Sequence, residues 1–195
     1  MKVTIKNFNV DWMLIKNECR QTVNMNDSIK EPTDEWKKKL LISRHSPLRI
    51  GTILVHIEDV PYYVMGHLVR HNVGVVPFVG TSREDRTGIK REERIQTDLV
   101  SMDLFINIES LMNISEKRLC TCADKETIKV WKAVVEEIGK YDRLLKWASV
   151  PSCVRCGGCC EPFSECNMYE NIMRNTTEDE QHNLIKRYDY YNKRR

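Results

Sequence analysis

Residues 105–113 read FINIESLMN, and residues 66–71 read GHLVRH. Asn107 and Asn113, both in the first stretch, are six residues apart, and Arg118 follows five residues after Asn113. Amide groups both donate and accept hydrogen bonds, which suits the edge of a heterocycle, whereas a guanidinium group suits a planar acceptor or a phosphate. GHLVRH ends in a cationic pair that suits a bound anion. We therefore expect the two stretches to contribute to one binding site.

Composition excludes several classes of protein. The chain has 195 residues, of which 41% are hydrophobic and 30% charged, so it is neither wholly disordered nor collagen-like. A net charge of +3 is too balanced to indicate long nucleic acid as a partner. No apolar run approaches the roughly 20 residues that cross a bilayer, and the first residues lack the features of a signal peptide. We expect a cytoplasmic protein without membrane contact.

The order of predicted elements indicates an α/β (α+β) fold in residues 1–150, with a central sheet flanked by helices. Apolar periodicity predicts strands over residues 1–7 and 50–57, and helices over residues 10–23, 34–43, 60–71, 98–118 and 124–148. Residues 72–80 are interpreted as a loop, and residues 83–94 as a charged surface segment or a mobile flap. Residues 151–195 form a small cysteine-rich appendage, whose last helix is predicted to begin near Thr176 or Thr177.

Over residues 1–145, the order and spacing of the motifs resemble those of the flavin-dependent thymidylate synthases. Arg70 and His71 occupy the first two positions of the Arg-His-Arg motif of that family. The later helix of the family pattern is matched in register by Asn107, Ser110, Leu111, Asn113, Arg118 and Glu126. The resemblance implies the fold of these synthases for this part of the chain.

The resemblance also implies a reaction, the methylation of dUMP to dTMP with FAD, a reduced nicotinamide cofactor and methylene-tetrahydrofolate. In such an enzyme the flavin supplies the hydride chemistry, and the protein binds and orients the reactants. Flavin contacts are then expected from Arg70, His71, Asn107 and Asn113. Substrate contacts are expected from Thr81, Arg83 and Arg118, and Arg118 is also the expected catalytic residue. Because the family's sites lie between subunits, the resemblance implies a homotetramer.

Several positions depart from the family pattern. Asn72 replaces the last arginine of the Arg-His-Arg motif, and Gly80 stands where a nucleotide-binding serine is expected. Glu109 replaces an arginine, and Arg49 follows Ser-Pro where the family has a glutamate. An anion beside a diphosphate is repulsive. Three alternatives therefore stand: an active synthase, a catalytically degenerate metal-stabilised nucleotide-binding or assembly protein of the same fold, and an altered reaction on a related nucleotide.

Five of the eight cysteines are concentrated near the carboxyl end of the chain, at Cys153, Cys156, Cys159, Cys160 and Cys166. In a reducing compartment, clustered thiols hold metal more often than they form disulfides. We predict a zinc site formed by Cys153, Cys156, Cys159 and Cys166, with an iron–sulfur cluster, free thiols or a redox disulfide as alternatives. Cys120 and Cys122 contribute only if the fold brings them near.

Overall fold

A computed structural model describes residues 1–194, and Arg195, the last residue of the predicted appendage, lies outside the described residues. Four strands form one sheet: β1 (Lys2–Asn9), β2 (Thr52–Pro61), β3 (Val75–Val79) and β4 (Leu99–Asn107). Their order is β1-β2-β4-β3, and every neighbouring pair is antiparallel. The sheet therefore ends in β3 on the side that carries the chain into the charged segment.

Eleven α-helices surround the sheet within residues 1–194. They are α1 (Trp12–Gln21), α2 (Asp34–Ser43), α3 (Tyr62–Leu68), α4 (Glu84–Thr87), α5 (Ile108–Arg118), α6 (Lys125–Gly139), α7 (Arg143–Ala148), α8 (Ser152–Cys156), α9 (Met168–Met173), α10 (Glu178–His182) and α11 (Leu184–Arg194). The predicted mixed fold with helices around a central sheet is confirmed. None of these helices is long and apolar enough to cross a bilayer.

The two central strands bury every second side chain against the helices. Fully or almost fully buried side chains face one another across the ladder as Ile53 with Ile106, Val55 with Leu104, and Ile57 with Met102. The β2 side chains between them are mostly half-buried. The apolar residues on both sides of this segment predict a strand buried on both faces, but β2 is fully buried on one face only. Cross-strand apolar pairs of this kind are the main stabilising unit of a sheet. They fix the register that places Asn107 at the end of β4.

The prediction of one helix over residues 98–118 is wrong in its first half. Leu99–Asn107 is β4, hydrogen-bonded to a strand on each side, and α5 begins at Ile108. The buried residues in this half recur every two positions, which is the period of a strand. Asn107 and Asn113 therefore do not share one helix, because Asn107 precedes α5 and caps it.

The interpretation of residues 72–80 as a loop is also wrong, because Val75–Val79 forms β3. Pro77 argued against a strand, since proline has no N–H to donate. β3 is an edge strand, where proline is tolerated. Its pairing with β4 joins residues that are distant in sequence, and no local pattern reports such a partner.

Two predicted helices are shorter than expected. The helix over residues 60–71 is α3 (Tyr62–Leu68), because β2 continues to Pro61. The helix over residues 124–148 is divided into α6 and α7, and the Asp142 side chain caps the second by accepting from the Leu144 and Leu145 N–H groups. An internal N-cap of this kind marks a helix start inside an otherwise continuous apolar stripe.

Other local predictions are confirmed. β1 covers the predicted strand of residues 1–7, and α2 occupies residues 34–43, with the Thr33 hydroxyl accepting from the Trp36 N–H. The predicted helix start near Thr177 is a capping box between Thr177 and Glu180, but it opens α10. The last helix, α11, begins separately at Leu184, so the prediction of one last helix from Thr177 is wrong in that respect. Residues 84–87 and 91–93 form short helical turns without buried side chains, which agrees with an exposed charged segment.

The segment after Pro151 packs into the same hydrophobic core as the body of the protein. Tyr188 and Tyr191 of α11 are buried, and the Tyr188 ring lies 5.0 Å from the Trp147 ring of α7. Arg187, itself buried, donates to the carbonyl oxygens of Val154, Arg155 and Gln181. Because these bonds hold α11 on α8, the last helix anchors the cysteine-rich segment to the core.

Candidate functional site

The junction between β4 and α5 is closed by a polar cluster. Asn107 Oδ1 accepts from the Ser110 N–H at 2.8 Å and lies 2.7 Å from the Ser110 hydroxyl. That hydroxyl is also within 2.9 Å of the carbonyl oxygens of Val73 and Gly74. Gly74 has φ +67, and a Cβ there would lie 2.5 Å from Asn107 Nδ2. Only glycine fits this approach, which ties the chain before β3 to the start of α5.

A cavity of about 200 Å³ opens beside this junction, between the chain that follows α3 and the first turns of α5. Its lining consists of Arg70, His71, Asn72, Val73, Val75, Ser110, Asn113 and Ile114. Three of the four predicted flavin contacts, Arg70, His71 and Asn113, line this cavity. Asn107, the fourth, is not in the described lining, but it is hydrogen-bonded to Ser110, which is. The fold thus brings together residues 66–71 and residues 105–113, which the sequence predicts to contribute to one binding site.

Arg118, the predicted catalytic residue, ends α5. Among the described residues it does not line this cavity but the cavity, described below, that contains most of the cysteines, and it reaches the candidate site by contacting His71. Its Nε donates to His71 Nε2 at 3.0 Å, and an Nη donates to the His67 carbonyl oxygen at 2.6 Å. A guanidinium group only donates, so His71 Nε2 must accept, and the imidazole is neutral. Burial, followed by the positive charges of Arg118 and Lys117, lowers the pKa of His71 to about 4, in agreement with a neutral ring.

Positive charge at this site is not neutralised by carboxylates. In the described chain, the ion pairs that involve arginine do not include Arg70 or Arg118. Burial, with the nearby charge of Arg70, lowers the pKa of Arg118, so the two cations are close enough to repel. Arginine nevertheless remains charged at neutral pH. Two guanidinium groups and a neutral imidazole suit an anionic ligand such as a phosphate.

Asn113 is held by a network that continues toward the carboxyl end of the chain. The Arg44 guanidinium donates to Asn113 Oδ1 and pairs with Glu116. Glu116 is buried and also pairs with Arg155 Nε at 2.7 Å. A buried carboxylate needs such partners. Because Asn113 Oδ1 already accepts from Arg44, its amide nitrogen is the group left to face the cavity.

Thr81 and Arg83, the predicted phosphate contacts, lie in the exposed segment after β3. The Thr81 hydroxyl accepts from the Arg83 N–H at 3.2 Å, and the Arg83 guanidinium pairs with Asp85. Among residues 1–194, the lining of the Arg70 cavity includes neither of them. A single copy of the chain therefore does not bring these two residues to the other predicted ligand contacts.

A second cavity, of about 210 Å³, collects most of the cysteines. Six of them line it: Cys120, Cys122, Cys153, Cys159, Cys160 and Cys166. The Sγ atoms of Cys120, Cys122 and Cys166 lie within 4.8 Å of one another, so these three residues could hold a metal ion. All eight cysteines of the chain are free thiols. The turn after α5 and the cysteine-rich segment thus meet at one place.

Only one of the four cysteines predicted as ligands belongs to this triad of described residues. Cys166 is a member, and Cys153 is buried in the wall of the same cavity. Cys159 also lines the cavity, whereas Cys156 is exposed and absent from its lining in the described chain. Burial, followed by repulsion from the Cys120 and Cys166 thiolates, raises the pKa of Cys153 to about 12. Cys153 therefore shares its surroundings with the triad.

Arg44 belongs to the site without having been predicted from the sequence, and the roles of Cys120 and Cys122 were left open by their spacing. Arg44 follows α2 with φ 53, and nothing in its local sequence indicates that it reaches α5. Cys120 and Cys122 did carry a signal, since a Cys-x-Cys pair directly after a helix resembles half of a metal site. Their link to Cys166 depends on a contact across more than 40 residues, which spacing does not report.

Comparison with solved structures identifies the fold. Flavin-dependent thymidylate synthase ThyX from Helicobacter pylori, complexed with FAD and dUMP, superimposes with a TM-score of 0.64 at 14% identity, covering 77% of this chain and all of that chain. The UMP/dUMP methylase PolB from Streptomyces cacaoi, bound with 5-Br dUMP, gives 0.61 at 14% identity, covering 75% of this chain and 93% of that chain. No family model matches the sequence, and no curated protein matches it. At this identity the likeness shows the fold alone.

Proposed function

We propose that this protein binds FAD and a pyrimidine nucleotide of the dUMP type, and that it acts as a flavin-dependent thymidylate synthase. The observation that carries the proposal is the group formed by Arg70, His71 and Arg118, where neither guanidinium group pairs with a carboxylate of residues 1–194. It lies in a fold shared with proteins that were solved with FAD and dUMP or with a dUMP analogue. Phosphate-bearing ligands satisfy such cations.

The residues present fit part of a flavin site. Arg70 supplies a cation for a phosphate or a ring carbonyl, and the Asn113 amide nitrogen can donate to the heterocycle. When bound, the flavin would supply hydride transfer, while Arg118 would hold the nucleotide and His71 would orient Arg118. Asn107 would act chiefly by closing the junction under the cavity, because its oxygen already accepts from the Ser110 N–H and lies 2.7 Å from the Ser110 hydroxyl.

The proposal includes a homotetramer that completes the site. The cavity of about 200 Å³ is smaller than the roughly 300–1,000 Å³ of ordinary ligand pockets. Its wall is open, since Val73 is 74% exposed although it lines the cavity. A second copy would cover this wall and could supply Thr81 and Arg83, which lie in an exposed segment of each copy. The reduced nicotinamide cofactor and methylene-tetrahydrofolate would enter the assembled site as co-substrates.

Calorimetric titration of the full-length protein with FAD, and then with dUMP, tests the proposal. Arg118→Ala is expected to weaken dUMP binding roughly tenfold to a hundredfold, the effect of losing a charged hydrogen bond, while sparing FAD. Arg70→Ala should weaken FAD binding. Arg174→Ala removes an exposed arginine far from these residues in sequence and serves as the matched control. Failure of the wild type to bind either ligand refutes the proposal, and equal loss of FAD in Arg118→Ala refutes the role given to Arg118.

A second candidate function is a catalytically degenerate, metal-stabilised nucleotide-binding or assembly protein of the same fold. The departures at Asn72 and Gly80 favour it, because they remove a guanidinium and a hydroxyl from the pattern of the family that the sequence resembles. The three converging thiols offer a metal, which we propose to be zinc, a structural place in the fold. Conversion of dUMP to dTMP by the FAD-loaded protein, with methylene-tetrahydrofolate and a reduced nicotinamide cofactor, decides between the two. Product formation supports the synthase, whereas nucleotide binding without product supports the degenerate protein.

A further inference from the structure

We infer that Cys120, Cys122, Cys153 and Cys166 bind one zinc ion, which joins the end of α5 to the cysteine-rich segment. This ligand set differs from the one that spacing alone predicts, because it takes two ligands from the body of the protein. The inference concerns a structural metal and stands independently of flavin or nucleotide binding.

The sulfur atoms of the triad are already near the spacing that zinc requires. With Zn–S bonds of about 2.3 Å, tetrahedral geometry places sulfur atoms about 3.8 Å apart. Cys120, Cys122 and Cys166 have all their Sγ atoms within 4.8 Å of one another. A shift of about 1 Å or less in each pair therefore completes three corners of the tetrahedron.

Backbone contacts hold two segments of the chain in position to supply these thiols. The turn that carries Cys120 and Cys122 is closed by the Ala123 N–H donating to the Cys120 carbonyl oxygen at 3.0 Å. The Cys122 thiol lies 3.5 Å from the Ser164 carbonyl oxygen. The turn after α5 thus touches the loop that leads to Cys166, and the convergence is part of the fold.

Cys153 is the best placed fourth ligand. It is 6% exposed, lines the cavity of the triad, and stands on α8, which is fixed on both sides. The Ser152 hydroxyl donates to the Glu116 carbonyl oxygen of α5 at 3.1 Å, and Arg187 donates to the Val154 carbonyl oxygen at 2.8 Å. A ligand on an anchored helix loses little freedom when it binds a metal.

The remaining cysteines of the segment are less suited to this ion. Cys156 is exposed and does not line the cavity in the part of the chain that the structure describes. Cys159 and Cys160 do line the cavity. The Cys160 thiol is 3.5 Å from the Gly158 carbonyl oxygen of its own loop, and both Cys159 and Cys160 are more exposed than the buried Cys153. These thiols therefore offer matched control positions, of the same residue type and a few residues from the proposed ligands.

The loop between α8 and α9 has little else to hold it in one conformation. Residues 157–167 contain no helix or strand, and Phe163 is 95% exposed, so the loop buries little apolar surface there. Short segments with a small hydrophobic contribution are commonly fixed by a metal, whose binding free energy becomes folding free energy. A zinc ion on Cys166 and Cys153 would fix both ends of this loop to α5.

Elemental analysis of the full-length protein tests the inference. We expect about one zinc per chain, and a cobalt-exchanged protein with the absorption of tetrahedral thiolate coordination. Cys120→Ser and Cys166→Ser are expected to lose the metal during dialysis against a chelator that leaves the wild type loaded. Cys156→Ser and Cys159→Ser should retain it. Loss in these two variants with retention in Cys120→Ser overturns the ligand set, and iron on the same thiols overturns the assignment of zinc.

Alkylation of the wild-type protein keeps the test decisive if a variant fails to fold. In the loaded protein, mass spectrometry should find Cys120, Cys122 and Cys166 protected, and chelation should expose these three together. Cys153 is buried by the core with or without metal, so its ligation is tested by Cys153→Ser, which should lose the metal in the same dialysis. Cys156 should react equally before and after chelation. A wild type that neither contains zinc nor takes up zinc or cobalt refutes the inference, whether or not it binds FAD and dUMP in the separate titrations.

Discussion

Arg49 and Glu109 form a two-pronged ion pair, in which Arg49 Nε lies 2.5 Å from Glu109 Oε2 and a second guanidinium nitrogen lies 3.3 Å from Oε1. Both residues depart in charge from the pattern of the family that the sequence resembles, and they do so in opposite directions. Because they are partners, the two departures compensate for each other. Glu109 is therefore neutralised by Arg49 and does not stand as an isolated anion beside the cation site.

Exchange of the two charges should preserve the interaction. Glu109→Arg alone places two guanidinium groups together and should lower the free energy of unfolding, whereas the double variant Arg49→Glu, Glu109→Arg should recover it. The pair is partly exposed, so the coupling energy should be about 0.5–1 kcal/mol. Urea unfolding of the wild type, both single variants and the double variant measures it. A double variant no more stable than the worse single variant contradicts the compensation.

His71 should make the protein less stable in mild acid. Burial, followed by the charges of Arg118 and Lys117, lowers its pKa from 6.5 to about 4 in the folded protein. Between these pH values the unfolded chain binds a proton at His71 that the folded protein does not bind. The contribution of His71 to the free energy of unfolding is therefore lost as the pH falls from about 6.5 to about 4.

Thermal unfolding at several pH values checks this expectation. His71→Gln keeps an acceptor for Arg118 without the titration, so its melting temperature should fall less than that of the wild type between pH 7 and pH 4.5. His45→Gln, at an exposed position, is the control. Parallel curves for His71→Gln and the wild type would show that His71 does not contribute.

Glu116 should be one of the most sensitive polar residues of the protein. Its buried carboxylate pairs with Arg44 and Arg155, and so joins the chain after α2 to α5 and α8. Removing one partner of a buried ion pair costs about 3–5 kcal/mol. Because Arg155 is partly exposed, we expect Glu116→Ala to lower the free energy of unfolding by about 3 kcal/mol or less.

Chemical denaturation measures the change in the free energy of unfolding. Glu126→Ala is the matched control, because the ion pair that Glu126 makes within the described residues, with Lys129, is largely exposed, and its loss should cost less than about 1 kcal/mol. Equal effects of the two substitutions would mean that the Arg44–Glu116–Arg155 network adds nothing beyond a surface contact.

Metal removal should loosen the loop between α8 and α9 while the core remains folded. Cleavage by a glutamate-specific protease after Glu165 is expected to accelerate several-fold in chelator, because Cys166 then no longer fixes the loop to the body. Glu93 lies in an exposed turn remote in sequence from the cysteines, and its cleavage should stay unchanged. Mass spectrometry of timed digests measures both rates. An unchanged rate at Glu165 would show that no metal restrains this loop.

Local sequence was sufficient for those elements whose determinants lie within a few residues. α2 follows from Thr33 and an apolar face, and α10 follows from the capping box at Thr177. The central strand follows from the apolar residues around Val55. In the two helices the capping hydrogen bonds are contained in the segment itself, and in the strand the apolar pattern is, although its hydrogen bonds are made to β1 and β4.

The same local information failed where a distant partner decides the structure. β4 carries apolar residues that also suit a helix, and its pairing with β2 and β3 selects the strand. β3 contains Pro77 and exists because β4 supplies its hydrogen-bonding edge. Sheet pairing is a long-range interaction, so the choice between helix and strand was settled outside both segments.

For the candidate sites, sequence alone determined which chemical groups are present: Arg70, His71, Asn113 and Arg118 for an anionic heterocyclic ligand, and seven thiols in the second half of the chain for a metal. Tertiary structure decided which of these groups meet. It joined Arg118 to His71, placed Arg49 on Glu109, and brought Cys166 to Cys120 and Cys122. The physical reason is that side-chain convergence depends on how helices and strands pack, and packing joins atoms that residue spacing leaves unrelated.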